Sequence, residues 1–379
     1  MPTVLAGRAT QLDAVDATLS RVAHTGAPTN PIIITGTRGL GKTVILNEAA
    51  SRARQRGLTV AYLTLDRGTS TPARIAAETQ REATRLLGTH GGRQWARLRA
   101  RFSAFTVQLS VPGVSITSAA GQPNAPEPID RDELTRLLCD TATLLRDKGH
   151  GGLLLVLDEI QEAPEADLVL LANTMQDCVK RGAPIATLAA GLPHAPDALM
   201  NAGTFAERFT YQTVGRLSFD ESTIALLEPA RAMHGVLWTR EAADAVLARA
   251  KGSPYLIQLF GNACWQAGAP ATGHVISDAT AEVGVRDAEV ELWAGMFRGR
   301  WNKAGRVERQ LLIAVAATIG EDGNASTSDI AAHLHRTASQ LSGARRRLID
   351  KGLLEPAGYA KLAFTMPGFE EFVRAETEA

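Results

Sequence analysis

Gly36 to Thr43 reads GTRGLGKT, which fits the spacing G-x-x-x-x-G-K-[ST]. Glycines at such spacing let successive backbone N–H groups curl around phosphate oxygens at the start of a helix, where the peptide dipoles favour negative charge. Lys42 would then reach the outer phosphates of a nucleoside triphosphate, and the Thr43 hydroxyl would bind Mg²⁺. Gly36, Thr37, Arg38, Gly39, Leu40, Gly41, Lys42, Thr43 and the adjoining Val44 form the candidate phosphate cradle. A second cluster completes the chemistry: Leu153 to Glu159 reads LLLVLDE, an apolar run that ends in two acids. Asp158 would hold the Mg²⁺ through its water, and Glu159 would orient and polarise an attacking water. A strand that merely ends in two solvated acids is the plain alternative, and Lys42 and Thr43 upstream weigh against it.

These groups need elements to hold them. PIIITG, just before the glycine-rich turn, is a short unbroken apolar run typical of a strand buried on both faces, and TVILNEAASRARQRG after it has a helical pattern. Leu58 to Asp66, GGLLLVLDE, Pro184 to Ala190 and Phe209 to Val214 supply four more strands, with helical patterns between them. Such alternation predicts an α/β fold: a five-stranded parallel sheet covered on both faces, over residues 1–217. Within it, Phe105, Val107, Leu109 and Val111 alternate up to Pro112-Gly113, followed by Val114 and Ile116, which predicts a small hairpin insert over about 102–118. Ile129 to Lys148 reads as a helix with Asp130 as its N-cap. Residues 218–300 read as almost wholly helical, and 301–379 as a third domain.

The chain of 379 residues carries 40 Lys+Arg against 40 Asp+Glu, a formal charge of zero that excludes a uniformly basic coat protein. Cys139, Cys178 and Cys264 show no metal-ligand spacing, so a zinc module or a disulfide scaffold is not expected. The opening MPTVLAGRATQLDAVD lacks a continuous apolar core and does not read as a secretory signal. The longest apolar runs, such as Leu311 to Ile319, fall far short of the ~20 residues that span a bilayer. A cytoplasmic location without membrane contact is the expectation.

TGTRGLGKT, LVLDEIQ, the AERF preceding a helical segment, and KGSPYLIQLFG from Lys251 to Gly261 together resemble the AAA+ ATPases. The likeness is to the clade of origin-recognition initiators and the related archaeal-type and STAND ATPases, and it covers nearly the whole chain. It implies an AAA+ sheet domain, a helical lid at 218–300 and a C-terminal winged helix, with ATP and Mg²⁺ as ligands. By the same resemblance Val4, Leu5, Gly7 and Arg8 would line the adenine pocket, and Pro254 of the G-x-P motif would pack near the base. Arg208 stands where the family carries an arginine finger, whose fixed charge acts on a neighbouring subunit's γ-phosphate and implies a homo-oligomer. A surface Arg paired with Glu207 or another acid is the alternative. Two departures imply slow hydrolysis and a switch more than a motor. The fourth strand, IATLAAGLP, offers only Thr187 or backbone near Gly191 to fix the water, and no lid arginine is evident.

VERQLLIAVAATIG, STSDIAAHLH and the segment from Thr337 to Phe364 resemble a winged helix. Its third helix would enter the major groove of duplex DNA, with Ser339, Gln340 and Ser342 reaching base edges. Arg345, Arg346 and Arg347 would meet phosphates, and Lys361 beside Tyr359 would serve in the wing. A second basic stretch, Arg67 to Arg101, carries eight arginines against two glutamates, with Arg97, Arg99 and Arg101 as further DNA candidates and Trp95 as a stacking surface or a core residue. The sequence thus points to an ATP-dependent, duplex-DNA-binding switch. A STAND-like signalling or defence regulator stands as the alternative, as does a targeting or loader subunit acting on a transposase, helicase, nuclease or effector.

Overall fold

The computed structural model describes residues 4–68, 70–88, 92–110, 131–202 and 204–378. Five strands, β1 (Ile32–Thr35), β2 (Thr59–Thr64), β3 (Leu153–Asp158), β4 (Ile185–Gly191) and β5 (Thr210–Thr213), form one sheet in the order β2-β3-β4-β1-β5. Every pairing is parallel, as the alternation of elements predicts. β1, β3 and β4 are buried along their whole length. This is why each reads as an unbroken apolar run: both faces are covered by helices.

The helices of this region are α1 (Ala9–Ser20), α2 (Lys42–Gln55), α3 (Thr71–Leu87), α4 (Gly92–Ser110), α5 (Arg131–Asp147), α6 (Glu165–Lys180) and α7 (Ala195–Ala202). α4 corrects the expected hairpin, because Phe105 to Ser110 is helical and continues from Gly92. Trp95, Leu98, Phe102 and Phe105 recur at helix spacing and bury in the same core as Leu134, Leu137 and Leu138 of α5. Four large side chains on one stripe outweigh the short alternation that shares Phe105. Trp95, 2% exposed, is therefore a core residue and offers no stacking surface. The rest of the expected insert, with Pro112-Gly113 and the cap Asp130, lies outside the described residues. Cys139 of α5 and Cys178 of α6 meet as buried free thiols, their sulfur atoms 3.5 Å apart.

The chain divides into two compact units. One comprises Thr10–Gly36 and Lys42–Val214 and holds the sheet; the other comprises Met1–Ala9, Thr37–Gly41 and Gly215–Ala379. The second unit begins its main run with α8 (Phe219–His234), α9 (Arg240–Ala250), α10 (Pro254–Gly268) and α11 (Asp278–Leu292). Two very short strands, β6 (Leu237–Trp238) and β7 (Val275–Ile276), pair in parallel where the sequence suggests no strand. Then follow α12 (Arg298–Lys303), α13 (Arg306–Thr318), α14 (Thr327–His333), α15 (Ala338–Asp350) and α16 (Phe369–Glu378). The strands β8 (Ala325–Ser326), β9 (Leu354–Pro356) and β10 (Lys361–Phe364) make an antiparallel sheet in the order β8-β10-β9. One continuous apolar core runs from Leu217 to Val373 through this unit.

Capping is explicit here. Ser218 and Glu221 form a reciprocal capping box at α8, Thr239 caps α9, Ser277 caps α11, and Thr337 with Gln340 forms a second box at α15. Glu308, 4% exposed, receives Lys351 and Arg347 as well as the Gly305 N–H. Burial alone would raise its pKa, but these partners, Lys351 foremost, hold it down at about 2.

The turn at KGSP is built from two left-handed residues, Lys251 (φ 43°) and Gly252 (φ 74°). A Cβ on Gly252 would lie 2.4 Å from the Leu217 carbonyl oxygen and 3.2 Å from Arg216 Cβ. Leu217 N–H in turn donates to the Gly252 carbonyl at 2.8 Å, so the backbones are locked together. Gly252→Ala should therefore cost about 3 kcal/mol through left-handed strain and overpacking. A thermal melt should show the unfolding midpoint falling by several degrees, and an unchanged midpoint would contradict this packing.

Candidate nucleotide site

The loop from Gly36 to Thr43 follows β1, the strand flanked by β4 and β5. Ligands of open α/β sheets bind outside such carboxyl ends, where the strand order reverses. Gly39 and Gly41 adopt φ of 85° and 87°, and nothing lies within 4 Å of a Cβ built on Gly41. The loop thus has the alternating left-handed turns and open concavity that suit backbone N–H groups turned toward an anion. Lys42 opens α2, is 6% exposed, and donates Nζ–H to the Gly36 carbonyl at 2.8 Å. Gly36 N–H in turn donates to the Gly191 carbonyl at the end of β4, at 3.3 Å.

Thr43 Oγ1 donates to Asp158 Oδ2 at 2.7 Å, which unites the two sequence motifs from residues 115 apart. Asp158 is 3% exposed, and its other oxygen accepts the Glu159 N–H at 2.9 Å. Burial raises its pKa above the usual carboxylate range, against the lowering by Thr43, the Glu159 amide and Lys42. A buried hydroxyl–carboxylate pair short of positive charge fits Mg²⁺, which takes few protein oxygens and keeps several waters. Tyr62 of β2 is close enough for the Asp158 charge to add to burial in raising its phenol pKa. Among the described residues there is no group of three or more His, Cys, Asp or Glu side chains placed to hold a metal ion.

Glu159 sits in the left-handed region at φ 55°, unusual for a residue with a Cβ and a mark of sites where the backbone is held for a purpose. A residue that the motifs do not disclose holds its side chain. Gln161 donates Nε2–H to Glu159 Oε2 and accepts the Leu192 N–H on Oε1 at 3.0 Å. The end of the fourth strand is thereby tied to Glu159 through a side chain from the turn after β3. Thr187 does not fill that role: it pairs with Leu155 deep in the sheet and is 5% exposed.

The remaining candidates lie as follows. Arg8, 7% exposed, donates Nη2–H to the carbonyls of Leu40 and Gly215, both at 2.9 Å, and Nη1–H to Gly7 O. Burial lowers its pKa and the Glu221 charge offsets this. It thus ties the entry loop and the phosphate loop together, a structural duty that the adenine-pocket expectation does not contain. Val4, Leu5 and Gly7 are half-buried in the same entry loop. Pro254 is the first residue of α10, and the next amide, Tyr255 N–H, donates to the Gly39 carbonyl at 3.3 Å. Arg208 ends a short 3₁₀ turn, exposed and with no salt bridge to Glu207.

On α15, Ser339, Gln340 and Ser342 are exposed, but Gln340 is engaged in the capping box and Ser342 donates to the Ser339 carbonyl. Arg347 is paired with Glu308 at 2.9 Å and Lys361 with Asp322 at 2.8 Å. Among the described residues, Arg345 and Arg346 form no ion pair. Tyr359, at the tip between β9 and β10, is fully exposed. In α4, Arg97 and Arg99 are exposed, whereas Arg101 bridges Glu133 and Asp140 at 3.0 and 2.9 Å. Much of the rest of that basic stretch is also neutralised, Arg67 by Glu162, Arg74 by Asp66 and Arg81 by Glu78.

A parallel sheet with a glycine-rich phosphate loop after β1 and paired acids after β3 defines a P-loop nucleotide-binding class. Residues 4–187 match the AAA ATPase domain family. Residues 294–373 match a domain of unknown function, DUF8462. No curated protein matches the chain. Among solved structures it is similar to Cdc6p from Pyrobaculum aerophilum, at 16% identity over 99% of this chain and 96% of that one, with a TM-score of 0.46. It is similar also to the Aeropyrum pernix ORC2 protein, at 18% identity over 100% and 97%, with a TM-score of 0.48. The Thermotoga maritima RuvB Holliday junction branch migration motor aligns at 14% identity over 98% and 95%, with a TM-score of 0.46. Among the described residues no helix is long and apolar enough to cross a membrane.

Proposed function

We propose that the chain binds and slowly hydrolyses ATP and uses the nucleotide state as a switch for self-association and for binding duplex DNA. The hydrogen bond from Thr43 to Asp158 carries the nucleotide part of this reading, since it brings the phosphate loop's hydroxyl to the acid that ends β3. Lys42 binds the outer phosphates, Thr43 and Asp158 hold Mg²⁺, and Glu159 takes the proton of the attacking water. When bound, Mg²⁺ offsets charge on the phosphate oxygens. Arg208, exposed and without a salt bridge to Glu207, is available to a neighbouring subunit's γ-phosphate.

The DNA part rests on α13, α14, α15 and the β9–β10 wing, read as a winged helix. Arg345 and Arg346, without an ion pair among the described residues, would supply charge, with Tyr359 at the wing tip as an aromatic contact. The test is a titration of duplex DNA with Mg-ATP over a range of salt. Replacing both Arg345 and Arg346 with Ala should weaken binding and reduce the slope of log affinity against log salt by about 2. An unchanged slope would remove α15 from the DNA surface, and no binding by the wild type at low salt would end this part of the reading.

The pairing of Arg347 and Lys351 with Glu308, and of Lys361 with Asp322, favours a second reading. In it the same region is a protein-binding module that holds a regulator or a loader subunit in one nucleotide state. Release of bound ADP only on addition of a partner protein would support that reading over the first.

A further inference from the structure

Gln161 is joined at both ends. Its Oε1 accepts from Leu192 N–H, the first amide beyond β4, and its Nε2 donates to Glu159 Oε2. A backbone N–H can only donate, so the carboxamide oxygen must face Leu192 and the NH₂ must face the carboxylate. The orientation is therefore dictated by chemistry. The surroundings are tight enough to keep it so: a Cβ on Gly191 would stand 2.7 Å from Ile160 Cγ1, 2.8 Å from Ala195 Cβ and 3.0 Å from Gln161 Oε1. Glu159 itself is held in its left-handed conformation by the turn that follows, where Glu162 N–H donates to the Glu159 carbonyl at 2.9 Å.

We propose that Gln161 is the positioning residue of the hydrolytic step, fixing Glu159 to the end of β4 so that Oε1 alone faces the attacking water. The inference rests on the ATPase reading above and extends it to the residue that sets the rate. In the step, the water O–H bond breaks and its proton passes to Oε1. The water oxygen bonds to the γ-phosphorus as the bond from that phosphorus to the ADP oxygen breaks. Gln161 touches neither water nor phosphate. It acts by holding one carboxylate oxygen, and small misplacements of such a base are costly in rate but not in substrate binding.

The experiment compares phosphate release and equilibrium ATP binding in the wild type, Gln161→Met, Gln161→Glu, Glu159→Gln and the Glu159→Gln/Gln161→Met double variant. Gln161→Met should lower kcat about tenfold or more, with KM and ATP affinity within about twofold of the wild type. Gln161→Glu keeps an oxygen for Leu192 N–H but sets a like charge against Glu159. It should therefore lose at least as much kcat as Gln161→Met, whereas a purely structural tether to β4 would survive it. On the Glu159→Gln background, Gln161→Met should add less than about twofold. Wild-type kcat in Gln161→Glu, or an equal loss from Gln161→Met on both backgrounds, would overturn the proposal alone. A wild type no faster than Glu159→Gln would overturn the ATPase reading and this proposal with it.

Discussion

Glu159→Gln should lower the rate of ATP hydrolysis about a hundredfold or more while leaving ATP affinity within a few-fold of the wild type. Removing a positioned general base typically costs 10²- to 10⁴-fold, about 3–5 kcal/mol of barrier. The substitution is close to isosteric, and the Gln161 NH₂ can still donate to the new amide oxygen, so the turn after β3 should persist. Asp158 keeps its bond from Thr43, and the phosphate loop is untouched. Binding and hydrolysis should therefore separate in this variant. If the nucleotide state governs association, light scattering should show the variant retained in a higher-mass form with ATP, where the wild type returns to the smaller one. Loss of binding together with hydrolysis would mean that Glu159 supports the fold of the site and is not its base.

Lys42→Ala should weaken ATP binding by about 10- to 100-fold and take hydrolysis with it. Hydrogen bonds to charged groups contribute about 1.5–3 kcal/mol each, and in the proposed function the ammonium is the fixed positive charge opposite the outer phosphates. Lys42 also has a duty in the protein itself, since its Nζ–H satisfies the Gly36 carbonyl in a buried setting. Some loss of thermal stability should accompany the loss of affinity. Lys42→Arg is a useful companion, because the larger planar guanidinium does not fit a site shaped for a compact ammonium and should bind nearly as poorly. Equilibrium titration with ATP and Mg²⁺ measures both, and wild-type affinity in Lys42→Ala would place the phosphates elsewhere.

The two motifs were legible in sequence because each is local: the chemistry of GTRGLGKT and LLLVLDE is set by neighbours a few residues apart. The sheet was legible because buried parallel strands are unbroken apolar runs. Gln161 was not, since its meaning depends on β3 lying beside β4, and nothing near LDEIQ discloses that Leu192 N–H needs an acceptor. Charge was misleading for the same reason. Arg347 and its neutralising Glu308 are 39 residues apart, as are Lys361 and Asp322, so counting charges along a segment overstates what the surface presents. The error over Phe105 to Ser110 has a different origin. Alternation over a few residues competes with a helical stripe that begins at Trp95, and only the longer window reveals which pattern buries more.

Calorimetric titration of Mg-ATP into the wild-type chain tests the central claim most directly, because every further role assigned to Lys42, Asp158, Glu159 and Gln161 presupposes that the nucleotide binds there. The account predicts saturable binding at one site per chain, weakened at least about tenfold by Lys42→Ala. No saturable binding to the wild type, or binding that Lys42→Ala leaves unchanged, would contradict it.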